Sequence, residues 1–253
     1  MCTLALYFHE FEDYPLVIAA NRDEFFARPS EPPRILATKP VVLAGIDLLA
    51  GGTWLGVNEH GLVAGILNRR SETKRRQTAI RSRGLLCLDM LSAGDPEQAR
   101  SLLDKADGLS YQPFNLLIAN AEAAFVSYNQ GEGISTCRLR KGLHVLSNTA
   151  IYDSRSQKVE YAHALFSSAG ERFLGEQETN SRLSSMKRAL ADHTLRSELS
   201  DAKDAICVHT EAYGTVSSSL IFYNRLEKCF YAYYAPGPPC REDYGEPLSL
   251  KVQ

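Results

Sequence analysis

The first third of the chain alternates short apolar runs with polar or glycine-rich breaks. Residues 2–8, 15–20, 41–46, 53–57 and 62–68 are apolar and strand-length, and each ends in a turn-like segment such as Asn58-Glu59-His60-Gly61. The pattern then lengthens. A helix is predicted over 82–92, and a second begins at Asp95-Pro96-Glu97, where Asp95 can cap and Pro96 suits the first helical position. Strands are predicted again at 115–120, 123–128 and 143–146. Helices follow over 154–174 and 179–191, the second placing Leu183, Met186 and Leu190 on one face. Two further strands, 218–223 and 228–234, precede a tail with Pro236, Pro238 and Pro239 that is expected to be irregular. Strands come in blocks and helices come in blocks. This favours an α+β arrangement of antiparallel sheets with helices on their outer faces over a doubly wound parallel sheet. No repeat or linker interrupts residues 1–253, which are expected to form a single domain.

Composition narrows the partners. The 253 residues are 44% hydrophobic and 23% charged, with a formal net charge of -2, so charge gives no reason to expect nucleic acid or a membrane surface. Glu10, Glu12 and Asp13 break the start of the chain before any signal-like apolar run, and no run is long enough to span a bilayer. A cytoplasmic protein without an integral membrane segment is therefore expected. Its six cysteines are expected to be reduced thiols. There is no CxxC pair, and Cys207 with His209 lacks an obvious set of further ligands, so neither metal nor cofactor is expected.

The opening Met1-Cys2-Thr3 carries candidate chemistry. Removal of Met1 would leave a thiol and a free α-amine on one residue. Such an amine titrates near ~7.7–8.0 and can serve as the thiol's own base. The alternative reading is a small buried hydrophobe, a common role for Cys. A hairpin centred between Phe11 and Glu12 would set Cys2 opposite Asn21, with Arg22 and Asp23 one step away. A guanidinium there favours the thiolate, and a carboxylate can hold the ammonium or orient the guanidinium. Asn21-Arg22-Asp23-Glu24 also reads as a charged strand end with surface ion pairs.

Several ordered motifs resemble one superfamily. They are Met1-Cys2-Thr3, Asn21-Arg22-Asp23-Glu24 with Arg28-Pro29, Ala44-Gly45-Ile46-Asp47 and Gly51-Gly52-Thr53-Trp54-Leu55-Gly56, then Pro113-Phe114-Asn115, Leu146-Ser147-Asn148 and Tyr213-Gly214-Thr215. Together they are similar to the NRDE superfamily, which includes the transport and Golgi organisation 2 proteins and is related to amino-terminal nucleophile hydrolases of the choloylglycine hydrolase branch. The resemblance implies a four-layer αββα sandwich, two antiparallel sheets between helical layers, with Cys2 as nucleophile. It also implies oxyanion donors at Asn68 and Asn148, whose amide groups suit that task. Two departures stand out. Arg22 and Asp23 are adjacent, whereas the corresponding pair in the hydrolases sits three apart. Val216 stands where relatives commonly carry Arg.

Cys2, Arg22, Asp23, Asn68 and Asn148 are thus the candidate catalytic residues, and Asn21, Trp54 and Arg69 the candidate substrate contacts. Trp54 reads equally as core. Arg69, Arg70, Lys74, Arg75, Arg76, Arg81 and Arg83 form a basic stretch that reads as a solvated loop or as an electropositive rim for an anionic ligand. The expected partner is a small amide, thioester or ester substrate. The resemblance implies, as the alternative, a carrier or trafficking factor for haem or lipid. Nucleic acid is not expected, and nothing in the sequence speaks to the oligomeric state.

Overall fold

A computed structural model of the chain describes residues 2–69, 81–130, 133–149, 156–195 and 201–253. These form two compact units interleaved along the sequence. The first comprises the residues up to Ala27, Lys141–Leu226 and Tyr231–Leu248. The second comprises Arg28–Arg140, Glu227–Phe230 and Ser249–Gln253.

The first unit is organised by β1 (Thr3–Phe8) and β2 (Leu16–Phe25). With β10 (Gly142–Leu146), β11 (Tyr213–Asn224), β12 (Cys229–Ala235) and β13 (Leu248–Lys251) they form a six-stranded sheet in the order β10-β1-β2-β11-β12-β13. Side chains alternate across the sheet. Ala5 and Tyr7 of β1, Val17 and Ala19 of β2 and Leu220 and Phe222 of β11 pack with Phe166, Phe173, Met186 and Leu190 of α3 (Gln157–Gly175) and α4 (Thr179–Leu190). Rings of Phe11 and Phe173 stack at 4.2 Å. Burying each such aromatic is worth about 1.5–3 kcal/mol. Leu4, Leu6 and Phe8 are also buried, so both faces of β1 are covered.

The second unit holds a seven-stranded meander in sequence order. It runs β3 (Ser30–Leu36), β4 (Val42–Asp47), β5 (Leu55–Asn58), β6 (Val63–Asn68), β7 (Phe114–Ala119), β8 (Ala124–Asn129) and β9 (Ile134–Arg138), each antiparallel to the next. Helices α1 (Arg83–Leu91) and α2 (Pro96–Asp104) cover one face through Leu86, Met90 and Leu103. Ser82 and Asp95 cap them by accepting from the backbone N–H groups of Gly84 and Gln98.

The expected fold class, α+β with two antiparallel sheets and helices, is borne out. Three strands escaped the sequence pattern. β3 contains Pro32 and Pro33, and its pairing with β4 is irregular between Glu31 and Arg34, so these prolines sit at a sheet edge where no ladder bond is needed. β9 is polar and also an edge. β13 lies in the tail expected to be irregular. Among the predicted helices, the start of the third, at Ser154, falls outside the described residues.

Candidate functional site

The β1–β2 hairpin closes through the backbone N–H of His9 donating to the Pro15 carbonyl at 2.8 Å, with His9 in the left-handed region at φ 54°. That turn sets Thr3, not Cys2, opposite Asn21. The expected register is therefore off by one. A slip of one residue exchanges the two faces of a strand, so it decides which side chains accompany Cys2. Carried one residue further, the observed ladder puts Arg22 across from Cys2. On the other flank Leu4 pairs with Leu146, and the same continuation puts Asn148 across from Cys2. Directly opposed residues project to the same face. On that continuation Cys2 falls between Arg22 at the end of one ladder and Asn148, two residues past the end of β10.

Asn21 and Asp23 fall on the other face, toward α3 and α4. The Asn21 amide donates to the carbonyls of Leu190 at 2.8 Å and Ile206 at 3.0 Å. These are structural bonds, and they take up both amide protons that a substrate contact would use. The Asp23 carboxylate accepts from the Thr215 hydroxyl at 2.7 Å. Its backbone carbonyl accepts from Tyr213 at 2.9 Å and from the Cys2 thiol at 3.9 Å. Arg22 and Asp23 are only 5% and 2% exposed, which overturns their reading as surface ion pairs. Asp23 meets the thiol through its backbone carbonyl, while Arg22 acts on it as a nearby charge.

Burial pushes the half-buried Cys2 thiol above its ordinary range. Asp23 adds to this and Arg22 opposes it. Burial likewise pushes the Asp23 carboxyl up, while Lys158 and the Thr215 hydrogen bond pull it down. Asn148 is 4% exposed. Its side-chain oxygen accepts from Ser147, and its Nδ2 has no hydrogen-bond partner among the described residues. An amide NH₂ left without a partner in a buried position is a donor available to a ligand.

The late motif lies directly beside this site. Thr215 pairs with Asp23, Ser217 with Arg22 and Ser218 with Asn21. The register shifts between Thr215 and Ser217, which makes Val216 the extra residue of a β-bulge. Sequence reasoning missed Lys158, Thr215 and Tyr213. Thr215 and Tyr213 hydrogen-bond Asp23 and Lys158 acts on it as a charge, each from an element distant in sequence that no local spacing announces.

The remaining candidates belong to the second unit and are tied within it. Trp54 lies over Gly45, with its Cη2 and Cζ2 atoms 2.7 and 2.9 Å from where a Gly45 side chain would begin. Arg69 donates to Asn115 at 2.9 Å and lies 5.4 Å above the Tyr128 ring. Asn68 ends β6, exposed. Of the basic stretch, Arg81 forms a two-pronged pair with Asp89 and reaches Tyr111, and Arg83 donates to the Pro113 carbonyl. Arg70, Lys74, Arg75 and Arg76 fall outside the described residues. Cys207 and His209 form a cluster with His193 and Cys240. No described helix is long and apolar enough to cross a membrane.

Solved structures with the same architecture identify the fold as that of the amino-terminal nucleophile hydrolases. A variant of the conjugated bile acid hydrolase from Clostridium perfringens superposes with a TM-score of 0.58 at 12% identity, over 97% of this chain and 92% of that one. Penicillin V acylase from Agrobacterium tumefaciens gives 0.56 at 12% identity, over 100% and 99%. The sequence itself is more particular. Residues 1–232 match the Transport and Golgi organisation 2 family, and the chain belongs to it. The Transport and Golgi organization protein 2 homolog of Bos taurus is 29% identical over 231 residues, 82% of each chain.

Proposed function

We propose that this protein is an amino-terminal cysteine acyl hydrolase or acyltransferase acting on a small amide, thioester or ester. What supports the reading is that the β1 ladders, continued past their ends, bring Arg22 and Asn148 alongside Cys2, and that Asn148 is buried with no hydrogen-bond partner for its Nδ2 among the described residues. The bile acid hydrolase and the acylase that share the fold lend it weight by their names.

The chemistry follows from the burial. A thiol raised by burial is protonated at rest and needs a base. Once Met1 is removed, the α-amine of Cys2 supplies one. Sγ attacks the carbonyl carbon as its proton passes to the amine. The carbonyl electrons move to oxygen, where Nδ2 of Asn148 donates a hydrogen bond. Collapse of the tetrahedral species expels the amine, thiol or alcohol, which takes the proton back and leaves an acyl-thioester on Cys2. Water, or an acceptor nucleophile, then releases the acyl group. Arg22 stabilises developing thiolate. Asp23, held by Thr215 and Tyr213, is a positioning residue.

Intact mass spectrometry of the full chain after exposure to a panel of p-nitrophenyl esters, acyl-thioesters and N-acyl amides tests this. The expected result is a chain lacking Met1 that gains one acyl mass at Cys2. Cys2→Ala should lose the adduct and all turnover. Retained Met1, or turnover unchanged in Cys2→Ala, refutes the mechanism. Ligand binding with neither adduct nor turnover would instead fit a carrier.

A further inference from the structure

His193, Cys207, His209 and Cys240 converge in the first unit, with one ligand atom from each inside a span of 4.8 Å. We propose that these four residues bind one Zn²⁺ in a closed tetrahedral site. The distances are those of a metal's coordination shell. Zinc bonds of about 2.3 Å to sulfur and about 2.0–2.1 Å to nitrogen set tetrahedral edges of about 3.8 Å between sulfurs, about 3.6 Å between sulfur and nitrogen and about 3.3 Å between nitrogens. The Cys207 and Cys240 sulfurs are 3.7 Å apart, Cys207 Sγ and His209 Nε2 3.6 Å, His209 Nε2 and Cys240 Sγ 3.3 Å, and the two His Nε2 atoms 3.1 Å.

Hydrogen bonding does not account for this convergence. Nε2 of His209 faces His193 Nε2, Cys207 Sγ and Cys240 Sγ at once. A ring nitrogen carries either one proton or one lone pair, so it cannot pair well with all three neighbours at once. A shared cation at the centre satisfies all four atoms. A disulfide is the other chemistry open to the pair, but its sulfurs would stand about 2.05 Å apart. Both cysteines are free thiols here.

Binding balances simply. Zn²⁺ displaces a proton from each thiol, and two thiolates with two neutral imidazoles give a site of zero net charge. Two soft sulfurs and two imidazoles select zinc over magnesium or calcium, and four protein ligands leave no open position for substrate. The ion would be structural. His193 follows α4, Cys207 and His209 precede β11, and Cys240 lies in the proline-bearing segment after β12. His193 and His209 are 16 residues apart in sequence, and His209 and Cys240 31. The ion thus pins three irregular segments at one point. A hollow lined by Leu195, Ala202, Ala205 and Arg241 opens onto the cluster and gives the ion a path in. The pinned segment also reaches Asp23. Val208, between the two ligands, exchanges hydrogen bonds with Thr215, whose hydroxyl holds the Asp23 carboxylate.

The test uses the full chain, free of any histidine tag, expressed with zinc and purified under reductant. Inductively coupled plasma mass spectrometry should find about one zinc per chain. Cys240→Ser and His193→Gln should each lose it, while Cys137→Ser keeps it. Because His193 is exposed, its variant is expected to retain the wild-type circular dichroism spectrum, separating loss of a ligand from loss of fold. Cobalt substituted for zinc should give thiolate charge-transfer and tetrahedral ligand-field bands that disappear in the same variants. Only trace zinc in the wild type, zinc retained in both ligand variants, or a Cys207–Cys240 disulfide persisting under reductant would overturn the proposal.

Discussion

Asn21 and Asn58 do the same work in different units. Each is nearly fully buried and sends its amide protons to two carbonyls at the end of a helix and the loop beyond. Asn21 bonds Leu190 and Ile206, and Asn58 bonds Leu91 and Ala93. Asn58 additionally accepts from His60 and Leu62, closing its own turn. Buried carbonyls deprived of a donor are expensive, at about 1–3 kcal/mol each. Asn21→Ala is therefore expected to lower stability by about 2–4 kcal/mol, read as a drop in the urea midpoint. An unchanged midpoint would mean that neither bond matters. The same logic explains why motif residues were legible as a resemblance and yet misleading as a site. Asn21 belongs to the motif because it locks helix to sheet, whereas Arg22 beside it points to the face that Cys2 shares.

Among the elements, the turn between β4 and β5 is held from two sides. Asp47 accepts from Arg28 at 2.6 Å and from the backbone N–H groups of Leu49 and Ala50, which fixes the turn from inside. Gly52 then passes against the start of α1. A methyl group added there would meet the Gly84 carbonyl carbon at 2.1 Å, and the Thr53 N–H donates to the Gly84 carbonyl at 3.0 Å. Backbone against backbone has no flexible end to yield. Gly52→Ala should therefore cost about 3 kcal/mol or more, above the usual range for an overpacked site. Thermal unfolding checks this, and a melting temperature within a degree or two of wild type would contradict the close approach. The strands with apolar runs were readable because burial on a face leaves a period in the sequence. The edges β3 and β9 bury little and leave none.

At the scale of the whole molecule, a buried carboxyl couples stability to pH. Burial raises Asp23 above its unfolded value of about 3.9, so folding is favoured by the protonated form. As pH rises past about 3.9 the unfolded chain gives up its proton before the folded chain does. That contribution to stability then declines until the raised value is passed. Asn cannot ionise and still accepts from Thr215. Asp23→Asn should therefore gain stability relative to wild type as pH rises from about 4, measured by urea unfolding at several pH values. A difference that stays flat or falls with pH would show that Lys158 and Thr215 outweigh burial.

The sequence by itself determined the fold class, the family and the Asp95 cap of α2. All of these are written in local periodicity, in capping residues or in motifs that keep their order. Only the tertiary structure decided which face Cys2 shares. That depends on one residue of register, set by a turn whose geometry no hydrophobic pattern encodes. It also decided that Thr215 and Tyr213 hydrogen-bond Asp23, and that His193 and Cys240 join Cys207 and His209. Those contacts are made by chain segments far apart in sequence, which have no spacing to read until packing brings them together.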